Sequence, residues 1–302
     1  MSRPRTGVAL LSALVIASLV ATLAGQSLWR RWRLLQEEQS MREIAQRQRL
    51  MHTAIDWAAQ RLREDGLRSP AVDHLAEPWA QPVRNQSLET WIAGSDPTAR
   101  ASAPEGSVKV TIIISDAQGR LNLLNLLEGS ALSPAWLAVF ARLFDQLGLP
   151  TADLDVLTQS LLRASAATDV TLPGPAPLMP QRSEDLLWLG MSPASTSALQ
   201  PHLAVLPGRL PVNLNTANAS VLRAVLDAPS ETVDALIERR RAQPIGSLEE
   251  SGLSERVDAN RHAVASQFFE ISVRLESTRK WAFHGRALLL RQGERIRIVW
   301  RA

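Results

Sequence analysis

Residues 7–28 have the sequence GVALLSALVIASLVATLAGQSL, in which no side chain carries a charge. A helix needs about 20 apolar residues to cross the hydrocarbon core of a bilayer, and residues 8–28 provide that length. A secretory signal peptide has a shorter apolar region that is followed at once by ordinary soluble sequence. The pattern therefore predicts a transmembrane helix at residues 8–28.

The sequence after this apolar stretch predicts that the helix continues well beyond it. No Gly or Pro occurs between Leu28 and Gly66. Apolar residues recur at spacings of three, four and seven, which is the period of an amphipathic helix. We expect the apolar stripe of this helix to bind a partner protein through Met41, Ile44, Met51 and Ile55. A single-pass anchor with a helical stalk is the simpler alternative.

A cluster of Arg and Trp stands directly after the apolar stretch. Residues 29–33 have the sequence WRRWR. Tryptophan and basic side chains are typical of the membrane–water interface. We interpret this cluster as an anchor just outside the hydrocarbon, with stacking on nucleic acid as the alternative.

A short basic leader, MSRPRTG, precedes the apolar stretch. A leader that ends in Gly and is followed at once by an apolar helix resembles the class III leader of type IV pilins and pseudopilins. In that family a membrane prepilin peptidase cuts after the Gly and methylates the new amino terminus. The resemblance places this cut between Gly7 and Val8. Arg3 and Arg5 agree with the excess of basic residues on the cytoplasmic side of membrane proteins.

Most pilins carry Glu at the fifth mature position, where this chain has Ser12. In the resembled family, that Glu neutralises the amino terminus of a neighbouring subunit during filament assembly. A carboxylate in hydrocarbon is tolerated only when it is paired. A subunit without this Glu has no such charge to pair, which suits the first subunit at the tip of a filament.

Composition excludes several classes of protein. The 302-residue chain contains no Cys, which excludes a disulfide framework, thiolate zinc sites and a Cys nucleophile. The formal net charge of +3 is unevenly distributed: +2 in the leader, +3 in residues 29–68, −7 in residues 69–269 and +5 in residues 270–302. A basic tail beside an acidic middle indicates complementary solvated surfaces rather than a nucleic-acid groove.

The rest of the chain changes from extended to helical patterns and back again. A proline-rich connector with a short helix near residues 88–92 leads to a predicted hairpin, with strands at residues 108–115 and from Arg120. Three alternating runs after residue 264 predict strands, with a reversal at Gly293 and Glu294. Between them, helices are predicted at residues 134–147, 153–164, 184–189, 194–202, 217–227, 230–242 and 248–253.

These patterns predict an α+β fold, in which a long N-terminal helix, transmembrane and then soluble, packs on an antiparallel sheet with an inserted all-α domain. The predicted divisions follow from the same patterns. They are the leader at residues 1–7, the transmembrane segment at 8–28, the soluble helix at 29–66, the first part of the core at 67–129, the inserted α-domain at 130–260 and the second part of the core at 261–302.

Residues 211–253 have a helix-turn-helix pattern, for which Asn215 and Thr216 are the predicted N-terminal caps. The pattern resembles the ComEA-type helix-hairpin-helix module, a DNA-binding unit whose glycines bring backbone N–H groups against a phosphate. Here the turn is residues 227–230, DAPS. DNA binding is disfavoured because this turn has no Gly and contains an acid and a proline. The arginines at residues 239–241 are interpreted as a solvated helix C-terminus.

Several motifs occur in an order that resembles one family along nearly the whole chain. They are the Gly-ended leader, SDAQGRLNLLNL at residues 115–126, VNLNTANASVL at 212–222 and SQFFEISVRL at 266–275. The chain is similar to the general secretion pathway protein K family, the large minor pseudopilins of type II secretion systems. The resemblance implies a pilin-like core with an inserted α-domain. It also implies a place at the pseudopilus tip, initiating pseudopilus assembly and supporting export across the outer membrane.

The same resemblance implies partners and a location. The expected partners are the I- and J-type minor pseudopilins, with the H type as a further candidate, the major pseudopilin and the prepilin peptidase; no nucleic acid is expected. The expected location is the bacterial inner membrane, with a single pass and the soluble part in the periplasm. A minor pilin of a type IV pilus and a membrane-anchored helix-hairpin-helix DNA-binding protein are the alternatives.

The sequence predicts no enzyme and no required cofactor. It contains no catalytic or nucleotide-binding motif, and its five His residues never fall at metal-ligand spacing. Some members of the resembled family hold calcium in the α-domain. That resemblance makes Asp153, Asp155, Glu184 and Asp185 candidate calcium ligands, although calcium requires six to eight oxygen atoms.

Overall fold

The computed structural model describes residues 6–95, 108–166, 177–253, 256–277 and 282–302. Arg3 and Arg5 of the predicted leader lie outside the described residues. The chain divides into two compact units, residues 1–53 and residues 54–302. One helix, α1 (Thr6–Arg68), begins in the first unit and ends in the second. The predicted continuation of the helix beyond the apolar stretch is therefore confirmed.

The other elements of the described chain lie in the second unit. The helices are α2 (Leu88–Ser95), α3 (Pro134–Gln146), α4 (Thr151–Ala166), α5 (Pro193–Leu199), α6 (Ala219–Leu226) and α7 (Ser230–Ala242). The strands are β1 (Val83–Ser87), β2 (Val108–Asp116), β3 (Leu121–Asn122), β4 (Leu127–Glu128), β5 (Ala131–Leu132), β6 (Leu203–Ala204), β7 (Val212–Asn213), β8 (His262–Ala263), β9 (Phe268–Ser277), β10 (Ala282–Gln292) and β11 (Arg295–Arg301). Short 3-10 helices at Ser183–Leu189 and Glu249–Ser251 replace two predicted α-helices. The other helical predictions are confirmed, with ends that differ by a few residues.

An antiparallel sheet of five strands forms one part of the second unit, in the order β1-β2-β9-β10-β11. The two central neighbours are far apart in sequence: β2 pairs with β9 from Val108 opposite Ser277 to Asp116 opposite Phe269. Buried and exposed residues alternate along most of β2, as expected for a strand with one face on a core. The reversal between β10 and β11 is confirmed, and Gly293 supplies the positive φ of 58° there.

The part of α1 in the second unit has one buried face. Ala54, Ile55, Ala58 and Leu62 are at most 1% exposed, and the helical period places them on the same side. Met51, which is three residues before this part of α1, is also buried. The prediction that Met51 and Ile55 bind a partner protein is therefore wrong, because neither side chain is left exposed.

The segment between β2 and β9 encloses a hydrophobic core of its own. Side chains from helices α3 to α7 pack around the buried aromatic rings of Trp136, Phe140 and Phe144. This core extends from Leu121 to Ile245, which is close to the predicted inserted α-domain. Contacts nevertheless join it to the sheet, since residues 54–302 form one compact unit. The domain divisions stay predictions.

The predicted hairpin after β2 is wrong. β2 is followed by a 3-10 turn at Ala117–Gly119, and β3 then pairs in parallel with β6 instead of returning along β2. The physical reason lies in the next residues, because Asn122 and Asn125 bind backbone groups of residues 206–210. The neighbours of β2 are instead β9 and the unpredicted strand β1, whose sequence VRNQS has no apolar alternation.

Candidate functional site

The first unit is a helix with an exposed apolar surface. Within the described residues, α1 contains the one segment that is long and apolar enough to cross a membrane, judged by length and composition. The large apolar side chains from Leu10 to Leu28 are more than half exposed. Gly7 and Val8 lie at the start of α1, and Ser12 lies in its second turn. Because exposed apolar area of this size is unfavourable in water, this surface requires a lipid or protein environment.

Two residues of the predicted partner-binding stripe remain available on α1. Met41 is 68% exposed and Ile44 is 46% exposed. They lie three residues apart, so they share one side of the helix. This pair is the part of the stripe that can still contact another protein.

A buried cluster of charged side chains joins the end of α1 to β10. Arg291 donates to Asp65 at 3.0 Å and also binds Asp73, and it donates to the carbonyl oxygen of Ser266 at 3.0 Å. The Arg291 guanidinium also stacks over the Phe269 ring, 4.7 Å from its centroid. Buried charges are tolerated only when they are paired and hydrogen-bonded, so this cluster fixes the end of α1 on the sheet.

Glu77 extends the same cluster. Its carboxylate accepts hydrogen bonds from the backbone N–H of His74 and from the indole N–H of Trp79, both at 2.8 Å. Carboxylate oxygens of Asp65, Asp73 and Glu77 lie within 4.8 Å of one another, the one such group in the described part of the chain. Arg291 forms ion pairs with two of these three carboxylates, those of Asp65 and Asp73.

A second buried cluster is centred on Asp116 at the end of β2. Its carboxylate accepts the backbone N–H of Gln118 at 2.7 Å, the Asn213 amide at 3.0 Å, and the Thr216 and Ser266 hydroxyls at 2.5 and 2.6 Å. These four donors come from three separate parts of the sequence. Because Asp116 is buried and both of its carboxylate oxygens accept hydrogen bonds, the cluster holds these segments together.

Buried amide side chains hold the neighbouring segments in the same way. Asn215 donates to the carbonyl oxygen of Ile245 at 3.0 Å and accepts its N–H at 2.9 Å. The prediction that Asn215 and Thr216 cap the following helix is therefore wrong. The N-terminal cap of α6 is Asn218. Close approach also explains Gly119, where an added Cβ would lie 2.8 Å from the Thr216 hydroxyl and 3.1 Å from its backbone carbon.

The arginines after the helix-hairpin-helix-like turn are used within the molecule. Arg240 donates to the carbonyl oxygens of Leu214 and Ala217, and burial lowers its pKa to about 10. The interpretation of this arginine as a solvated helix end is therefore wrong.

In the helix-hairpin-helix-like turn at residues 227–230, the carbonyl oxygen of Asp227 accepts a hydrogen bond from Arg256 at 2.6 Å. The turn thus presents oxygen atoms to a cation, whereas a phosphate requires N–H groups.

The four candidate calcium ligands do not converge. Asp153 accepts hydrogen bonds from two serine hydroxyls, and Asp155 is exposed. Glu184 pairs with Arg286, and Asp185 accepts two backbone N–H groups at the start of its own 3-10 helix. In the described ranges, none of the four belongs to a group of three carboxylates with close oxygen atoms. The prediction that no cofactor is required, with calcium only as a candidate, stays a prediction.

The pKa of Asp65 predicts a specific dependence of stability on pH. Burial raises this pKa from 3.8 to about 6, with a further increase from the Glu77 carboxylate and an opposing effect of Arg291. Between these values the folded protein keeps a proton that the unfolded chain has released, so the free energy of unfolding falls as pH rises. Asp65→Asn removes this titration. We expect the stability of the wild type relative to this variant to fall by about 3 kcal/mol between pH 4 and 7.

Urea unfolding of both proteins at a series of pH values measures this difference. Asp56→Asn is the matched control, because it changes an exposed carboxyl group of the same helix. Its stability relative to the wild type should vary with pH by less than about 0.5 kcal/mol. A constant difference between the wild type and Asp65→Asn across this pH range would contradict the account.

The motifs at residues 115–126, 212–222 and 266–275 contain these clusters, but the local sequence did not reveal the hydrogen-bond networks. The available signal was the position of single polar residues, such as Asp116, Asn122 and Asn213, within otherwise apolar stretches. A buried polar side chain must find hydrogen-bond partners, so such residues indicate a buried network. The partners themselves are distant in sequence and carry no local signal.

Comparisons with known proteins identify relatives of the chain. A family model described as "Type II secretion system (T2SS), protein K" matches residues 119–208. The type II secretion system protein K of Pseudomonas aeruginosa is 23% identical over 302 residues, which covers 90% of this chain and 84% of that protein. The protein of the same name from Klebsiella pneumoniae is 29% identical over 267 residues, covering 80% of this chain and 77% of that protein.

A solved structure has the same fold. The crystal structure of the GspK-GspI-GspJ complex from the type 2 secretion system of enterotoxigenic Escherichia coli contains a chain that matches with a TM-score of 0.66. The match has 19% sequence identity and covers 88% of this chain and 98% of that chain. It confirms the predicted α+β fold with a long N-terminal helix and an antiparallel sheet. The family model and the two relatives show that the chain is similar to type II secretion system protein K.

Proposed function

We propose that the chain is a minor pseudopilin at the tip of the type II secretion pseudopilus, where it initiates assembly and supports protein export across the outer membrane. The observation that carries this proposal is the composition of α1. From Leu10 to Leu28 the helix exposes an uncharged apolar surface, and in the second unit its end is bound to the sheet through Asp65 and Arg291. A helix of this kind can hold a globular unit at a membrane and pack beside other such helices.

The proposed location is the bacterial inner membrane, crossed once by residues 8–28, with the second unit in the periplasm. The length and composition of this segment support a membrane span. A basic leader on the cytoplasmic side agrees with the orientation. We further propose that a prepilin peptidase cuts between Gly7 and Val8.

Two features support a position at the tip rather than in the filament body. Ser12 provides no carboxylate to pair with the amino terminus of another subunit. The helical segment between β2 and β9 adds a second core to the sheet. A subunit enlarged in this way does not fit the repeat of a narrow filament, so both features favour one copy at the end.

The proposed partners are the I- and J-type minor pseudopilins, since the matching solved structure is a complex that also contains proteins named GspI and GspJ. The H-type and major pseudopilins are further candidates. Met41 and Ile44 supply an exposed apolar contact on α1. An apolar pair of this kind stabilises helix–helix contact by removing its area from water.

Co-expression with the I- and J-type proteins, followed by affinity purification, tests this proposal. We expect Met41→Glu combined with Ile44→Glu to lower the recovery of both partners by about tenfold or more, because the two carboxylates would be buried against an apolar helix. Gln39→Glu combined with Gln46→Glu adds the same charge to the opposite side of α1 and should leave recovery unchanged. Absence of both partners from the wild-type preparation would contradict the proposed function.

A further inference from the structure

Residues 29–33, WRRWR, form what we call the Arg–Trp collar of α1. Trp29 and Trp32 are 55% and 56% exposed, and the Arg33 guanidinium stacks over the Trp29 ring, 4.0 Å from its centroid. Successive residues of an α-helix are about 100° apart, so five consecutive side chains surround the helix. A protein that contacts one side of α1 would leave part of the collar uncovered. A membrane surface, which encloses the helix, would cover all of it.

The collar also has the right height for a layer of lipid headgroups. It begins directly after the uncharged segment that ends at Leu28. At 1.5 Å per residue, five residues extend about 7 Å along the helix axis. One headgroup layer is roughly 5–8 Å thick, from the difference between the hydrocarbon core and the whole bilayer. The collar and the headgroup layer therefore coincide if residues 8–28 fill the hydrocarbon.

The charge of the collar is not neutralised within the described chain. Further along α1, Arg42 and Arg47 pair with Glu38 and Glu43 four residues before them. No acid lies four residues before any arginine of the collar. Glu37 lies four residues after Arg33, but none of the three arginines forms an ion pair in the residues that the structure describes. Three guanidinium groups therefore remain available to an external anion. Arginine binds phosphate oxygens in a bidentate manner, which makes a phosphate the best match.

We propose that the Arg–Trp collar binds the phosphodiester groups of anionic phospholipids and thereby sets the depth of α1 in the membrane. This inference rests on the proposed membrane span at residues 8–28. The collar lies at the opposite end of that span from the leader, on the side where basic residues are normally depleted. Bound anionic headgroups offset the cost of placing three arginines there. Each basic residue near an anionic surface strengthens binding about fivefold, so three strengthen it about a hundredfold at low salt.

Native mass spectrometry of the full chain tests this inference. The chain is released from non-ionic micelles that contain equal amounts of phosphatidylglycerol and phosphatidylcholine, and the retained lipids are counted. We expect the wild type to retain phosphatidylglycerol about tenfold or more in preference to phosphatidylcholine. The variant R30Q/R31Q/R33Q should retain the two lipids about equally. Inorganic phosphate at about 10 mM should leave the preference unchanged, since a single free anion does not replace a charged surface.

A charge-matched variant makes the test specific to the collar. R42Q/R47Q/R49Q also removes three arginines from the same helix, farther from the apolar segment, and should keep the wild-type preference. Equal retention of both lipids by the wild type would overturn the proposal. Loss of the preference in R42Q/R47Q/R49Q, or displacement of phosphatidylglycerol by inorganic phosphate, would also overturn it. Recovery of the I- and J-type partners by R30Q/R31Q/R33Q shows separately whether the proposed pseudopilin function stands.

Discussion

Arg291→Met is expected to lower the free energy of unfolding by about 3–5 kcal/mol at neutral pH, because it leaves buried carboxyl groups without their cation. In the wild type, Arg291 is 7% exposed and binds both Asp65 and Asp73. Methionine keeps most of the aliphatic volume of arginine, so the loss reports the ion pairs rather than a cavity. Urea unfolding of the full chain in detergent micelles, followed by far-UV circular dichroism, measures the change.

Two further variants separate the ion pairs from other effects of the substitution. Arg63→Met removes an exposed arginine of α1 that lies 3.9 Å from Glu294, and it should cost less than about 0.5 kcal/mol. Adding Asp65→Asn and Asp73→Asn to Arg291→Met should recover part of the lost stability, since the two carboxylates that Arg291 pairs with are then neutral. Wild-type stability in Arg291→Met would show that the buried cluster does not hold α1 on the sheet.

Gly7→Leu is expected to abolish removal of the leader almost completely. In the pilin families that this leader resembles, the peptidase requires a small residue before the cut. A branched side chain at this position prevents that fit. Mass spectrometry of the membrane-bound wild type should show N-methylated Val8 as its first residue, whereas Gly7→Leu should retain Met1. The uncleaved variant should also fail to support secretion, because the leader remains attached to the helix end that packs in the filament.

Gly7→Ala is the matched control for this substitution. Alanine adds one methyl group, so a larger fraction of this variant than of Gly7→Leu should be processed. An intact Met1 in the wild type would contradict the proposed cleavage. A first residue beyond Leu28 would instead indicate a signal peptide that is removed entirely.

The elements that sequence analysis predicted correctly are those with strong local patterns. α1, α3 and α7 show apolar spacing or capping signals within their own residues, and β9 to β11 alternate apolar and polar side chains. Each pattern reflects an interaction between near neighbours in the chain. For this reason, the sequence alone is sufficient to place them.

Contacts between distant residues explain what the sequence did not predict. Asp116 and Gly119 are typical turn residues, and they do form a turn, yet the strand that follows pairs with β6 because Asn122 binds residues 206–208. The same limit applies to Ile55. Its spacing correctly indicated an apolar face of α1, but only the folded second unit shows that this part of the face is buried. A local pattern predicts that a face will be covered, but not which surface covers it.

The number of copies of this chain per pseudopilus tests the proposed position at the tip most directly. Quantitative mass spectrometry of purified pseudopili, with the major pseudopilin as the internal reference, measures that number. If the missing carboxylate at Ser12 and the additional helical core restrict the chain to the end of the filament, each pseudopilus contains one copy whatever its length. A copy number that rises in proportion to the length of the pseudopilus would contradict the account.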